Sequence, residues 1–190
     1  MADYSGYVDV PHASYTQWKA NTIGNSYNLD GAYGAQCWDY ASLFWRNVGF
    51  AAGYPLTGPN HYASECWTVN KTANAGAVFD LITSKEDIKR GDIIVMDGTL
   101  ANPPGHITFA DEDYNGTNYL NCLGQNQGGG TPAPGGGTVA VVTNLGLGDF
   151  LGAFRYKAWH PSPTPTPTTT QKRFPWVIYA NKFRQKRSQP

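Results

Sequence analysis

The sequence has few charged residues and no long hydrophobic run. Only 15% of its 190 residues are charged, and the formal net charge is zero. No apolar stretch approaches the roughly 20 residues that a membrane-spanning helix needs, so we expect no membrane segment. The first residues also lack a basic segment followed by an apolar core, so no secretory signal is predicted.

Cysteine is scarce as well. The three residues Cys37, Cys66 and Cys122 are too few for a disulfide framework, since at most one pair forms and one thiol stays free. No Cys-x-x-Cys spacing, which is typical of zinc sites, is present. Neither a set of disulfides nor a structural zinc is therefore expected to hold the fold together.

The few charges are unevenly distributed. Beyond Trp159 the chain has six basic residues and no acidic one, so the other eight basic residues share the body of the chain with all 14 acidic residues. The body therefore has a formal charge of −6 and the end of the chain +6. A strongly acidic body argues against nucleic acid as a ligand.

The composition changes abruptly after residue 160. Residues 161–170 are Pro, Ser and Thr only, which is typical of an extended linker. Residues 171–190 form a basic tail around the apolar segment 174–179, which is too short to fold alone. We therefore predict one domain over residues 1–160, a linker, and a tail that anchors or docks the domain.

Residues 28–39 read as a glycine-bearing loop that leads into a helix with Cys37 in its first turn. A thiol at a helix N-terminus lies near unpaired N–H groups and the positive end of the dipole, and both favour the thiolate. A lone cysteine is more often a small buried hydrophobic residue, but here Gln36 precedes it and Gly105-His106 begins a strand-like run. Gly49 marks the end of the helix. The apolar positions follow one helical face: Cys37, Tyr40, Ala41, Phe44, Trp45 and Val48.

Short apolar or alternating runs predict strands elsewhere, at residues 78–82, 93–96, 106–111, 119–125, 139–143 and 152–157. Asn115-Gly116 predicts a two-residue hairpin turn between the third and fourth of these. A helix capped by Ser14 is predicted to run to about Ile23. The fold class we expect is α+β, with N-terminal helices packed on an antiparallel sheet of five or six strands.

Four segments, in this order and spacing, resemble the CHAP family. They are Asp-Gly-Ala-Tyr-Gly-Ala-Gln-Cys-Trp-Asp (30–39), Gly-Asp-Ile-Ile-Val (91–95), Gly-His-Ile-Thr-Phe (105–109) and Gly-Gln-Asn (124–126). The family consists of cysteine- and histidine-dependent amidohydrolases and peptidases with a papain-like fold, and the resemblance covers about residues 12–159. Many members are bacteriophage or bacterial peptidoglycan hydrolases. The resemblance implies a peptidoglycan hydrolase, expected to be phage-encoded, that acts as an endopeptidase or an N-acetylmuramoyl-L-alanine amidase.

The catalytic roles follow from amide chemistry and from the resemblance together. Cys37 is the expected nucleophile and His106 the expected base. Gln36 and the backbone N–H of Cys37 are the expected oxyanion donors. No cofactor is required for this chemistry.

The residue that orients the histidine is where the chain departs from the family. CHAP domains commonly have Glu-x-Asn where this chain has Gly124-Gln125-Asn126, so the glutamate is missing. We therefore predict that Asn126 orients His106, with Gln125 and Asn121 as alternatives for the same role.

The loop before Cys37 also resembles the calcium loop of some CHAP endolysins. The side chains of Asn28, Asp30 and Asp39 and the backbone carbonyls of Ala32 and Gly34 are the predicted ligands. The alternative is a loop of Asx turns whose acidic side chains cap the helix.

Two further hypotheses concern the whole chain. In the first, the protein is chiefly a structural component of a phage virion, held to other virion proteins by its tail. In the second, it is an inactive module that binds the wall, which the intact pair of Cys37 and His106 argues against. We expect the protein in the virion or released from the host cell.

Overall fold

The structure is a computed structural model of the chain and describes residues 6–72 and 74–161. The predicted tail, and the predicted linker apart from Pro161, lie outside the described residues. Within the described ranges, no helix is both long and apolar enough to cross a membrane.

The described residues form three α-helices: α1 (Tyr15–Thr22), α2 (Cys37–Asn47) and α3 (Glu65–Asn70). The predicted start of α1 is confirmed, because the hydroxyl of Ser14 accepts a hydrogen bond from the N–H of Gln17 at 3.2 Å. Past the end of α2, Gly49 has a φ of +100°, a backbone conformation that glycine adopts without strain.

In residues 6–72 and 74–161, six strands form one antiparallel sheet in the order β1-β6-β2-β3-β4-β5. This arrangement confirms the predicted α+β class with helices packed on an antiparallel sheet. The bounds of the strands are β1 (Phe79–Ile82), β2 (Ile93–Met96), β3 (His106–Ala110), β4 (Tyr119–Gly124), β5 (Val141–Gly146) and β6 (Phe150–Tyr156).

Strand β3 shows how the sheet divides the apolar core. Phe109 faces the helices, and its ring centroid lies 5.4 Å from those of Tyr40 and Phe44 in α2. Ala110, the next residue, belongs to a smaller apolar cluster on the other face, as the two-residue period of a strand requires. Packing of α2 on β3 brings the first residue of the helix to the first residue of the strand.

The connection between β3 and β4 is longer than predicted. A two-residue turn at Asn115-Gly116 was expected, but residues 111–118 lie between the two strands. The hairpin prediction is wrong because the chain beyond β3 bonds outside the two strands, with the N–H of Tyr114 donating to the carbonyl of Ile88 at 3.0 Å. The backbone of Asp111 still pairs with β4, donating its N–H to the carbonyl of Asn121 at 2.8 Å, while its side chain binds α1. Its carboxylate accepts hydrogen bonds from the hydroxyl of Tyr15 at 2.9 Å and the ammonium of Lys19 at 2.6 Å.

A buried ion pair joins β6 to the segment before β2. Asp92 is fully buried, and its two carboxylate oxygens lie 2.9 and 2.8 Å from Nε and Nη2 of Arg155. The N–H of Lys89 donates a third hydrogen bond to Asp92 Oδ2 at 2.8 Å. Such a two-point contact satisfies the buried carboxylate and fixes the orientation of the guanidinium.

Candidate active site

The position of Cys37 is set by the way α2 begins. Cys37 is the first residue of the helix, and Gln36 before it has extended backbone angles, φ −98° and ψ 165°. The carboxylate of Asp39, in the first turn, accepts a hydrogen bond from the N–H of Gln36 at 2.9 Å. This contact fixes the residue at which the helix starts and therefore the place of the thiol.

The thiol of Cys37 is in contact with hydrogen-bond donors on several sides. It is hydrogen-bonded with the imidazole of His106 and accepts hydrogen bonds from the backbone N–H groups of Ile107 and Trp38. Burial raises the pKa of Cys37, but the imidazole and these hydrogen bonds lower it by more. The pKa therefore lies below the usual value for a thiol, which favours the nucleophilic thiolate.

A glycine is needed immediately before His106. Gly105 has a φ of +70°, and a β-carbon at this position would collide with the backbone carbonyl of Met96 in β2. His106 itself pairs with Met96 at the start of β3. The Gly-His pair in the sequence therefore reflects a close approach between two backbones as the chain enters the strand.

The imidazole of His106 is coupled to the thiol. Burial lowers the pKa of His106, whereas the negative charge on Cys37 and hydrogen bonds with Cys37 and Gln127 raise it by more. The pKa of the histidine therefore lies above its usual value, while that of the cysteine lies below. Such opposite shifts describe a thiolate–imidazolium pair that shares one proton.

Gln127 holds the far side of the imidazole. Its Oε1 lies 3.1 Å from Nε2 of His106. Its Nε2 donates both hydrogens to backbone carbonyls, those of Cys122 and Val141, at 2.8 Å each. Because only nitrogen fits between two carbonyl oxygens, the amide oxygen must face the histidine. His106 Nε2 therefore carries a hydrogen, which leaves Nδ1 for the thiol.

The orienting role predicted for Asn126 is therefore wrong. The side chain of Asn126 makes no contact with His106 and instead donates a hydrogen bond from Nδ2 to Oε1 of Gln36 at 2.6 Å. The physical reason is the backbone of Asn126, which has a φ of +50°. A left-handed residue breaks the alternation of a strand, so the side chains on either side of it no longer point where a strand would send them.

The two alternatives for this role do not reach the histidine either. The buried amide of Gln125 bonds to the N–H and the carbonyl of Tyr27, at 2.8 and 2.9 Å, and to the carbonyl of Gln36 at 3.1 Å. Asn121 lies earlier in β4, where its Oδ1 accepts a hydrogen bond from Asn144 at 3.2 Å. Gln125 thus holds backbone next to the site, while Asn121 belongs to another part of the sheet.

Gln127 was not predicted from the sequence, although Gly124 pointed to it. A β-carbon at Gly124 would lie 2.8 Å from Oε1 of Gln127 and 2.8 Å from Oγ1 of Thr108. The space left by the absent glutamate side chain is therefore filled by the carboxamide of Gln127. A glycine where the family has an acid was a sign that another side chain enters the same space.

Gln36 has the position predicted for an oxyanion donor, directly before Cys37. Its Nε2 donates a hydrogen bond to the carbonyl of Tyr33 at 2.6 Å, and its Oε1 accepts the bond from Asn126. An amide nitrogen carries two hydrogens, and only one of them is used in these contacts. The second is available to a substrate oxygen.

Contacts in the loop before α2 follow the Asx-turn alternative. Oδ1 of Asp30 accepts a hydrogen bond from the N–H of Ala32, and Oδ1 of Asp39 accepts one from the N–H of Leu29, both at 2.8 Å. Burial raises the pKa of Asp39 to about 6, against hydrogen bonds from Gln36 and Leu29 that lower it. The two carboxylates therefore organise the loop and the helix start by themselves.

One observation in this loop fits a cation. Oδ1 of Asn28 is buried and has no hydrogen-bond partner, and a buried oxygen of this kind is a natural metal ligand. Gly34, whose carbonyl is one of the predicted ligands, comes so close to Gly136 that a β-carbon on Gly34 would collide with the backbone carbonyl of Gly136. In the part of the chain that the structure describes, no group of three or more His, Cys, Asp or Glu side chains is arranged to hold a metal ion.

The other two cysteines are unsuited to catalysis. Cys66 and Cys122 are both buried and free. Burial raises the pKa of Cys122 to about 12, and it also raises that of Cys66. Both thiols therefore stay protonated at neutral pH, and Cys37 is the reactive one of the three.

Comparison with known proteins agrees with this geometry. The sequence profile of the CHAP domain matches residues 23–126, which is more than half of the chain. The chain belongs to the CHAP family. This confirms the family predicted from the sequence and, with it, the predicted enzyme class of amidohydrolases and peptidases. The matched range ends one residue before Gln127, the residue that orients His106 in this chain.

This CHAP domain also resembles individual phage proteins. It is 33% identical over 125 residues to a D-alanyl-L-alanine endopeptidase of Streptococcus phage B30, a match that covers 64% of this chain and 26% of the endopeptidase. The chain thus spans about a quarter of that relative. Among solved structures, the wild-type endolysin LysIME-EF1 has a TM-score of 0.58 at 20% identity, over 75% of this chain and 62% of the endolysin chain. The second comparison supports the fold.

Proposed function

We propose that the protein is a phage peptidoglycan hydrolase that cleaves an amide bond with Cys37 as the nucleophile. The observation that carries the proposal is the line of contacts from Cys37 through His106 to Gln127, with opposite pKa shifts in the first two residues. Since the phage B30 relative is named as an endopeptidase, an endopeptidase is favoured over an amidase.

In the first step the thiolate of Cys37 attacks the carbonyl carbon of the substrate amide. The carbonyl oxygen becomes negatively charged in the tetrahedral intermediate. The backbone N–H of Cys37 and the free Nε2 hydrogen of Gln36 donate hydrogen bonds to it. Donors held in place before the reaction cost no reorganisation when the charge develops.

In the next step His106 acts as the acid. The imidazolium gives its Nδ1 proton to the leaving amine, the C–N bond breaks, and a thioester with Cys37 remains. A water molecule then attacks the thioester while His106 takes up a proton from that water. The C–S bond breaks, and the thiolate of Cys37 is released. Through both steps, Oε1 of Gln127 keeps Nε2 of His106 protonated and holds the imidazole ring in one orientation.

A bound calcium ion is a separate proposal for the loop of residues 28–39. Asn28 would hold it with its unpartnered oxygen, together with the carboxylates of Asp30 and Asp39 and the carbonyls of Ala32 and Gly34. Hard oxygen ligands suit this ion. Calcium would stiffen the loop that leads into Cys37 and has no part in the bond-breaking steps.

The basic tail is proposed to dock on another phage protein. Residues 171–190 combine six positive charges with the apolar segment 174–179, and a ten-residue linker separates them from the acidic domain. Deletion of residues 171–190 should leave hydrolysis of purified walls unchanged and release the protein from virions. Loss of hydrolysis by a folded, truncated domain would instead assign the tail to the wall or the active site.

The main experiment uses purified bacterial walls and two proteins, the wild type and Cys37→Ala. The wild type should lower the turbidity of the suspension and release new amino groups, whereas the variant should do neither while its circular dichroism stays unchanged. Mass spectrometry of the released muropeptides then identifies the bond. Lysis by a folded Cys37→Ala protein would overturn the proposed mechanism.

A further inference from the structure

The carboxamide of Gln36 has one allowed orientation. One end lies 2.6 Å from the backbone carbonyl of Tyr33, which is an acceptor, so that end must be the nitrogen. The oxygen therefore lies at the other end, 2.6 Å from the side chain of Asn126. Asn126 must in turn present its nitrogen, since two amide oxygens would repel each other.

Asn126 is held where it meets Gln36. Its backbone N–H donates a hydrogen bond to the hydroxyl of Thr138 at 2.7 Å, and its φ is +50°. Asparagine tolerates this left-handed conformation better than most residues. A side chain in this conformation leaves the line of β4 and crosses to the loop before Cys37.

The glycine-rich loop after β4 supports the same region. The N–H of Ala35 donates a hydrogen bond to the carbonyl of Gly136 at 2.9 Å, and Ala35 and Gly137 form a parallel bridge. A β-carbon at Gly137 would collide with the carbonyl of Ala35, so glycine is required for this approach. The segment with Tyr33 and Gln36 is thus fixed from the side on which Asn126 lies.

We propose that Asn126 is a positioning residue that fixes the donating end of the Gln36 carboxamide towards the substrate oxygen. Without the Nδ2 group of Asn126, the amide oxygen of Gln36 loses the hydrogen bond from Asn126, and the carboxamide turns more freely about its side-chain torsions. The second Nε2 hydrogen of Gln36 is then no longer held towards the position of the substrate oxygen. This inference rests on the proposed function, since it needs an oxyanion in the reaction.

Two variants test the contact without disturbing the backbone. Asn126→Gly removes the carboxamide, and glycine adopts the φ of +50° easily. Asn126→Asp keeps the shape but places a carboxylate oxygen against Oε1 of Gln36. His61→Gly is the matched control, because His61 is also left-handed at φ +58° and its one side-chain hydrogen bond is with Thr57.

Both Asn126 variants should lower the maximal rate of amide hydrolysis on walls about tenfold, with KM changed by less than about twofold, because the lost interaction forms only in the transition state. His61→Gly should keep the wild-type rate. Alkylation of Cys37 by iodoacetamide should keep its rate and pH profile in Asn126→Gly and His61→Gly, because this reaction forms no oxyanion and neither substitution adds a negative charge beside the thiol. Wild-type hydrolysis by both Asn126 variants, or a parallel loss of alkylation in Asn126→Gly, would overturn the proposal.

A spectroscopic readout separates this inference from the proposed function. The side-chain amide resonances of Gln36 are identified in a ¹⁵N spectrum by their loss in Gln36→Glu. In Asn126→Gly they should shift and exchange faster with water, whether or not the wild type hydrolyses any wall. Unchanged resonances in Asn126→Gly would show that Asn126 does not position Gln36, and hydrolysis by the wild type then tests the proposed function alone.

Discussion

The carboxamide of Gln127 occupies the space that a side chain at Gly124 would fill. A β-carbon on Gly124 would lie 2.8 Å from Oε1 of Gln127, the atom that faces His106. The loss of one side chain and the placement of the other are therefore linked. In this chain the histidine is therefore oriented by the neutral amide of Gln127 and by no carboxylate.

Replacement of Gln127 by Ala should slow wall hydrolysis by one to two orders of magnitude, or about 1.4–2.8 kcal/mol in activation free energy. Without Oε1, the imidazole loses the acceptor that holds Nε2–H and one of the contacts that raise its pKa. The pKa of Cys37 should therefore rise, and the pH profile of its alkylation should move upward. An unmoved profile in a folded variant would contradict the assignment.

Replacement of Gly124 by Ala should damage the site through Gln127. The new methyl group would press on Oε1 of Gln127 and Oγ1 of Thr108, both at 2.8 Å, and would displace the amide from His106. Gly128→Ala is the matched control, because a β-carbon there meets only Thr143, at 3.9 Å. We expect hydrolysis to fall at least about tenfold in the first variant and to stay unchanged in the second.

The double variant Gly124→Glu with Gln127→Ala provides the rescue test. It moves the orienting group back to position 124, where the family commonly has glutamate, and removes the carboxamide of Gln127, which is one of the two groups that a side chain at position 124 meets; the other, Oγ1 of Thr108, remains. We expect more activity than in Gly124→Ala. Equal or lower activity, in a folded protein, would show that the two positions do not share one space.

Local signals in the sequence predicted the two central residues of the site. The helix beginning at Cys37 follows from the apolar period and from Gly49, and the strand beginning at His106 follows from alternation after a glycine. Both signals depend on residues within a few positions of one another. The structure adds that Gly105 is needed because the carbonyl of Met96 comes close to it.

Contacts between distant segments explain what the sequence did not predict. The turn at Asn115-Gly116 failed because the loop after β3 bonds to distant segments: the N–H of Tyr114 to the carbonyl of Ile88, and the carboxylate of Asp111 to Tyr15 and Lys19, which are more than 90 positions earlier in the chain. Gln127 was missed because its direction depends on the left-handed φ of Asn126 and on the empty space at Gly124. Neither feature appears in the periodicity of β4.

Alkylation with iodoacetamide at about pH 7 should modify Cys37 alone. Burial keeps the pKa of Cys122 at about 12 and raises that of Cys66, so these thiols stay protonated and enclosed. In His106→Ala, burial still raises the pKa of Cys37, but the imidazole that lowers it most is gone. The inflection of the pH profile should therefore move upward. Peptide mapping by mass spectrometry checks both results, and an unchanged inflection would argue against the pair.

Removal of Arg155 should destabilise the fold strongly. Arg155→Ala removes the guanidinium that makes a two-point contact with the buried carboxylate of Asp92, which costs about 3–5 kcal/mol in the free energy of unfolding. Lys89→Ala is the control, since it breaks an exposed ion pair with Asp113 that contributes at most about 1 kcal/mol. Urea denaturation measures both. Similar urea midpoints for the two variants would contradict a large contribution of the buried Asp92–Arg155 pair to the free energy of unfolding.

Calcium should raise the melting temperature of the protein if Asn28, Asp30 and Asp39 bind it. A ligand that binds only the folded state stabilises that state, by about 2.7 kcal/mol at a concentration one hundred times the dissociation constant. Asp30→Ala should abolish the shift, because it removes one of the two carboxylates of the loop. Asp80→Ala, which removes an exposed carboxylate paired with Lys157, should leave the shift intact.

Differential scanning calorimetry in chelator and in millimolar calcium measures this effect without any assay of activity. Equal melting temperatures in the two buffers would show that Asp30 and Asp39 act only through the backbone hydrogen bonds they accept. The unpartnered oxygen of Asn28 would then be a local cost to stability, and Asn28→Ala should leave the melting temperature unchanged or higher. With calcium bound, the same substitution should lower the melting temperature, because it removes a ligand.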